Sequence, residues 1–244
     1  MYGSVQDWFR SLFSGVILAD IIRQFRCGST SFSKSYLSGN AWVATWMTLA
    51  QAIANGEDEG IASQQVALKQ LENYHPTAAV LGLFPLILTN PEMVAVETKP
   101  FTLKADTWNL AESLQKIVWN TAALTLPADT PLFEFPVSSN SSSQPALNTA
   151  AGEFLRRALT LCKIHQGQLA LTMEHLSCGQ DDLVFPLIGL LIAARGLEQL
   201  PLAWRYRFLR GDYLRSHWQL NDEAAIHQLA DCLCYRWAGG VSYK

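Results

Sequence analysis

The chain has 244 residues, 49% of them hydrophobic and only 16% charged, a balance that excludes a disordered polymer and leaves ample apolar material for a core. Lys plus Arg total 18 and Asp plus Glu 21, for a formal net charge of -3. That excludes broad electrostatic binding to nucleic acid or to an anionic membrane, because both need clustered positive charge.

The first ten residues hold Asp7 ahead of Arg10 and no basic leader. The apolar run Ser11–Ala19 is short, and Asp20 and Arg23 follow it at once, the reverse of a signal peptide's order. Residues 7–26 read as a helix, with Trp8, Leu12, Val16 and Ala19 at helical spacing. Residues 27–40 are Ser- and Gly-rich and read as a loop. Residues 41–55 read as a helix with Asn40 as N-cap and Asn55-Gly56 as its stop. Its apolar content runs nearly all the way round, which predicts a central position. Residues 61–72 look like an amphipathic helix. Pro76 precedes an apolar helix over 77–88, which Pro85 is expected to kink or divide. Residues 103–124 read as a helix with Trp108, Leu114, Val118 and Leu124 turned inward. Residues 127–150 carry four prolines and a Ser/Asn cluster and read as a flexible loop. Helices are expected again over 151–175, 183–196 and 222–238. Strand-like alternation is scarce, so the expected fold is all-α, one compact multi-helix domain over 1–244. The runs Ala78–Leu88 and Leu183–Ala194 fall short of the 18 or so residues that suggest a membrane span.

The five cysteines are Cys27, Cys162, Cys178, Cys232 and Cys234. An odd, scattered set is no disulfide framework, and the C-x-C at Cys232 and Cys234 lacks a second pair to complete four zinc ligands. They read as free thiols in a reducing, cytoplasmic setting.

Three segments, in order, resemble the ADP-ribosylglycohydrolase family. Phe9-Arg10-Ser11-Leu12-Phe13-Ser14-Gly15-Val16-Ile17-Leu18-Ala19-Asp20 is similar to the family's opening F-R-G-A-L-L-G-x-x-x-G-D, with Gly15 and Asp20 matching and Ala19 where Gly is usual. Ala79-Val80-Leu81-Gly82-Leu83-Phe84-Pro85-Leu86 resembles A-M-R-x-x-P-L. Cys178-Gly179-Gln180-Asp181-Asp182, with the helix through Gly196 behind it, resembles G-G-D-T-D-T, and Leu200-Pro201-Leu202-Ala203-Trp204 resembles the closing I-P-x-x-W. The style looks most like divergent cyanobacterial members. The resemblance implies an all-α fold with two magnesium ions between its helices. Those ions would orient ADP-ribose and activate water for attack at the anomeric carbon.

The same alignment removes most of the metal site. Magnesium needs several oxygens near octahedral positions. The family's T-D-D-T falls on Asn40-Ala41-Trp42-Val43, which has no carboxylate, and Trp42 fills the volume with indole. In the second motif Gln180 replaces the first Asp, Asp181 replaces Thr, Asp182 keeps the second Asp and Leu183 replaces the last Thr. No catalytic residue is identified. Asp181, Asp182 and Asp20 are the candidate ligand-binding residues, with Asp182 alone a weak metal candidate. The plainer reading gives Asp181-Asp182 a helix-capping role and Asp20 a buried hydrogen-bonding one.

Elsewhere His75, His165, His175, His217 and His227 have no H-E-x-x-H spacing, and Ser38-Gly39-Asn40 is no G-x-S-x-G elbow. Arg205, Arg207, Arg210 and Arg215, interleaved with Trp204, Tyr206, Phe208 and Tyr213, form a basic and aromatic stretch able to stack nucleobases or pair with phosphates, though such a stretch is more often a partner-binding or solvated face. The expectation is a family relative without di-magnesium catalysis, acting as a binding or regulatory module without a cofactor. Its ligand would be a protein partner, or ADP-ribose or a related nucleotide, and not nucleic acid. The alternative is an active hydrolase removing ADP-ribose with a rearranged site and magnesium.

Overall fold

A run of thirteen residues with no exposed face organises the molecule. In α1 (Val5–Cys27) every residue from Ser11 to Arg23 is buried, so this helix lies in the interior. Its start is a reciprocal cap: the Ser4 amide donates to Asp7 Oδ2 at 3.0 Å and the Asp7 amide to Ser4 Oγ at 3.2 Å, which satisfies two amides that the first turn leaves orphaned. The computed structural model describes residues 4–27, 41–56, 69, 71, 74–90, 103–123, 149–150 and 152–239. Asn40, most of the Ser/Gly-rich loop, the amphipathic helix expected over 61–72 apart from Lys69 and Leu71, and nearly all of 127–150 lie outside the described residues.

The other helices are α2 (Ala41–Asn55), α3 (Pro76–Thr89), α4 (Ala105–Ala123), α5 (Glu153–Ile164), α6 (Leu169–Glu174), α7 (Val184–Ala193), α8 (Leu202–Phe208), α9 (Asp212–Trp218) and α10 (Glu223–Trp237). A 3-10 turn spans Leu197–Gln199. Every regular element among the described residues is helical, so the all-α expectation holds. No helix among them is long and apolar enough to cross a membrane.

α1 packs on α7 and α10, α2 on α3, α3 on α4, and α5 and α6 on α7. The seam between α1 and α7 is unusually close. A Cβ built on Gly15 would overlap the Gly189 carbonyl oxygen and Ala193 Cβ, and one built on Gly189 would sit 2.5 Å from Ala19 Cβ. Only paired glycines let the two backbones approach like this. Arg10 clasps Asp231 of α10 with two 2.7 Å bonds, and the Trp8 indole N–H donates to the Ala194 carbonyl at 3.0 Å.

Several expectations need correction. α2 is not central: Ala44, Thr48, Gln51 and Asn55 form an exposed stripe, and α1 holds the middle instead. Pro85 does not divide α3, which runs unbroken through it with Ala79 to Leu88 buried. The packing of that apolar surface outweighs the one ladder bond that proline removes. The helix expected over 151–175 is two, because Gln166 and Gly167 take positive φ, 51° and 73°, and turn the chain between α5 and α6. Finally, Cys27 and Cys178 are not free thiols. They form a disulfide with Cα atoms 5.3 Å apart across 151 residues of sequence, tying the end of α1 to the turn before α7. Cys162, Cys232 and Cys234 remain free.

Candidate functional site

The aspartates singled out from sequence occupy two separate places. Asp20 sits where α1, α2 and α9 meet, fully buried. Its Oδ1 accepts from the Arg23 guanidinium at 2.9 and 3.1 Å, one helical turn on. Its Oδ2 accepts from the Trp218 indole N–H at 3.1 Å and from the Tyr213 hydroxyl at 3.4 Å. A buried carboxylate needs this set of partners, since an unpaired charge in the interior costs several kcal/mol, roughly 3–5 when a partner is removed. The cluster marks its neighbours. Burial, with the Asp20 charge adding to it, pushes the Tyr213 hydroxyl well above its ordinary range. His217 stacks on the Tyr213 ring at 4.8 Å; burial holds it below its ordinary value, with Asp20 pulling the other way. Its Nε2 has no hydrogen-bond partner among the described residues.

The floor of this cluster is indole. Trp42 and Trp46 of α2 meet Trp218 edge-on, with ring centroids 5.7 and 5.2 Å away, and Phe13 lies 4.5 Å from Trp46. Trp42 is 2% exposed and Val43 1%. These two residues stand where the alignment puts the family's first acidic cluster, and they are packed as core.

Asp181 and Asp182 lie in the turn ahead of α7. Asp181 is buried and paired with Arg157 of α5 at 2.5 Å, while its Oδ2 accepts from the Ser177 amide at 2.8 Å. Asp182 is half-buried, and its Oδ1 accepts from the Gly179 amide at 3.0 Å. The expected capping of α7 by these side chains is not found: the N-cap of α7 is Leu183, with no side-chain cap bond. Both carboxylates turn back onto 177–179, and it is the Asp181 carbonyl that receives the first helical amide, from Val184 at 2.8 Å. No hydrogen bond or ion pair joins this turn to Asp20 among the described residues. Arg157 and Trp218 carry no site signal in the sequence, and Tyr213 and His217 stand there only in the basic and aromatic stretch and among the isolated histidines, with no link to Asp20. Arg23 at i+3 from Asp20 was a legible ion-pair signal; the rest come from distant segments.

A pair of magnesium ions would require several oxygens per ion. Asp20 is spent on Arg23, Trp218 and Tyr213, Asp181 on Arg157 and Ser177, and Trp42 and Val43 of the aligned first cluster are buried as core. No group of three or more His, Cys, Asp or Glu among the described residues could hold a metal ion. The described residues do not fit the family's metal pair.

One further polar arrangement lies between α1 and α10. Ser14 Oγ is 3.4 Å from His227 Nε2, and the same nitrogen is 3.8 Å from Glu223. Glu223 is itself gripped by Arg205 at 2.6 Å. A Ser–His–acid relay needs the acid on the opposite imidazole nitrogen. Here serine and acid share one nitrogen, and Ser14 is fully buried, so the arrangement packs two helices together. His165 and His175 stack at 4.4 Å where α5 and α6 end.

Comparison with protein-family models finds no match, and neither does comparison with curated proteins or with solved structures.

Proposed function

We propose that the chain is a divergent relative of the ADP-ribosylglycohydrolases that has given up di-magnesium hydrolysis and acts as a binding or regulatory module for a protein partner. The observation that carries this reading is the internal commitment of the aspartates: Asp20 is neutralised by Arg23, 3% exposed, and Asp181, also 3% exposed, by Arg157. A catalytic carboxylate must face the metal or the substrate, and these two face cations of the same chain. The burial of Trp42 against Trp218 supports the same reading, since an indole packed as core at an aligned acidic position supplies no oxygen ligand. A cytoplasmic setting belongs to the proposal; there the Cys27–Cys178 bond is open to reductants, because Cys178 is exposed.

One observation favours the second reading, a hydrolase with a rearranged site. Asp182 is half-buried and engages the Gly179 amide through Oδ1, so its other oxygen could still meet a ligand. The two readings separate in one experiment. Thermal unfolding is followed with magnesium chloride, with ADP-ribose and with both, beside a release assay on ADP-ribosylated protein. Stabilisation by both through mass action, with turnover that is lost in Asp182→Ala, would overturn the non-catalytic reading. Indifference to magnesium together with absent turnover supports it. A shift with ADP-ribose alone identifies a nucleotide-binding module.

A further inference from the structure

The basic and aromatic stretch after α7 splits into two kinds of arginine. Arg205 is paired with Glu223 at 2.6 Å and Arg215 with Asp212 at 3.3 Å. Arg207 and Arg210 have no carboxylate partner among the described residues. Each lies over an aromatic ring instead, Arg207 at 5.2 Å from the Phe208 centroid and Arg210 at 4.3 Å from that of Tyr206. Large apolar side chains are exposed in the same stretch. Leu202 and Tyr206, one turn apart on α8, are 72% and 64% exposed, and Phe25 at the end of α1 is 66% exposed. Phe25 lies 5.1 Å from Phe208, which is two residues on from Tyr206 and so turns to another side of α8.

Large apolar side chains gathered on an exposed face mark an interaction surface, and tyrosine and arginine are the residue types that anchor one. The two guanidiniums lie over rings with no carboxylate among the described residues on them, so their N–H donors suit an outside carboxylate. On a chain whose formal net charge is -3, these uncompensated cations sit among its most exposed apolar groups. Charge complementarity therefore selects the occupant. We propose that the exposed stripe formed by Leu202, Tyr206, Arg207 and Arg210 docks an acidic segment of a partner protein, carrying Leu or Phe anchors between its carboxylates. The proposal rests on the binding-module reading above and gives it a surface. Two such cations are too few for an anionic membrane, which takes a cluster of about four to eight, or for a nucleic acid, whose affinity grows with each phosphate neutralised.

The test uses the full chain and fluorescein-labelled peptides of roughly 15 residues, with Leu and Phe at helical spacing among Asp and Glu, beside counterparts in which Lys replaces the acids. Fluorescence anisotropy should show saturable binding of the acidic peptides that weakens with salt, and none of the basic ones. Arg207→Glu with Arg210→Glu should weaken it by about tenfold or more, and Leu202→Ala with Tyr206→Ala should do so at any salt. Far-UV circular dichroism melts check that both doubles stay folded; these side chains are exposed, so the melts should match the parent. Absent binding, binding indifferent to both doubles, or equal binding of the basic peptides overturns the proposal. Tighter binding to phosphatidylserine vesicles or to single-stranded DNA than to the acidic peptides overturns it as well, as does dimerisation of the parent that the doubles abolish. Magnesium-dependent turnover in the release assay would end the non-catalytic reading and leave these binding results standing, so the two failures are distinguishable.

Discussion

Replacing Gly189 by Ala should destabilise the protein, although alanine is the better helix former. The new methyl would lie 2.5 Å from Ala19 Cβ and 2.8 Å from the Gly15 carbonyl carbon, where carbon atoms prefer about 3.5–4.0 Å. Neither neighbour can swing aside, because one is a β-carbon and the other is backbone. The helices must separate by about 1 Å, which forfeits a quarter to a half of each contact along the seam. Overpacking of this kind costs about 1–3 kcal/mol, and a rigid seam puts it at the upper end, about 3. The propensity gain of Gly to Ala in a helix returns about 1 kcal/mol, so the net loss is about 2. For a chain of this size that lowers Tm by about 4–8 °C, read by far-UV circular dichroism, with urea midpoints as the second measure. Gly15→Ala should cost a similar amount. The double variant should cost less than the sum, because a single separation relieves both clashes. An unchanged or raised Tm in either single variant would refute the close α1–α7 crossing.

Asp20→Ala leaves Arg23 charged in the interior and strips the Trp218 N–H of its acceptor, so a loss of about 3–5 kcal/mol is expected in urea unfolding. Asp20→Asn keeps an acceptor for Trp218 and should lose less. His75, His217 and His227 are all held below their ordinary values chiefly by burial. The unfolded chain therefore binds protons more readily, and stability, complete above about pH 6.5, should fall as the pH drops through the lowered folded values. Tm measured between pH 7.5 and 5.5 should decline, and His227→Gln should flatten the slope; a flat profile in the parent would contradict it. The Arg10 bonds hold Asp231 below the usual carboxylate value against the opposing effect of burial, so the loss of that clasp belongs to a separate, more acidic window.

What could be read from sequence follows from how each element is stabilised. α1, α3 and α7 are written in runs of apolar residues because burial makes them helical, and those runs are visible without coordinates, while α4 shows itself by apolar residues at helical spacing. α8 and α9, seven residues each, lack such a run and take their shape from packing and from Gln219 at φ 54°, which no turn signal announces. The break between α5 and α6 is hidden in the same way by Gln166, a residue seldom found at positive φ. Asp20 could be recognised as a buried, partnered carboxylate from its apolar surroundings and from Arg23. Arg157 could not, because its tie to Asp181 spans two elements, and neither could the disulfide, whose halves carry no common motif. The direction in which Asp181 and Asp182 turn also escaped, since an acidic pair before an apolar helix reads as a forward cap and only the path of 177–179 reverses it.

The enclosure of α1 has a further consequence during synthesis. The helix leaves the ribosome long before α7 and α10, the elements that cover it, have been translated. At about 5–20 residues per second, its oily surface waits about ten to thirty seconds for its first large partner. Throughout that interval the nascent chain is a natural client for chaperones, and any truncation ahead of Val184 would strip the helix of both α7 and α10, leaving most of its apolar surface in water.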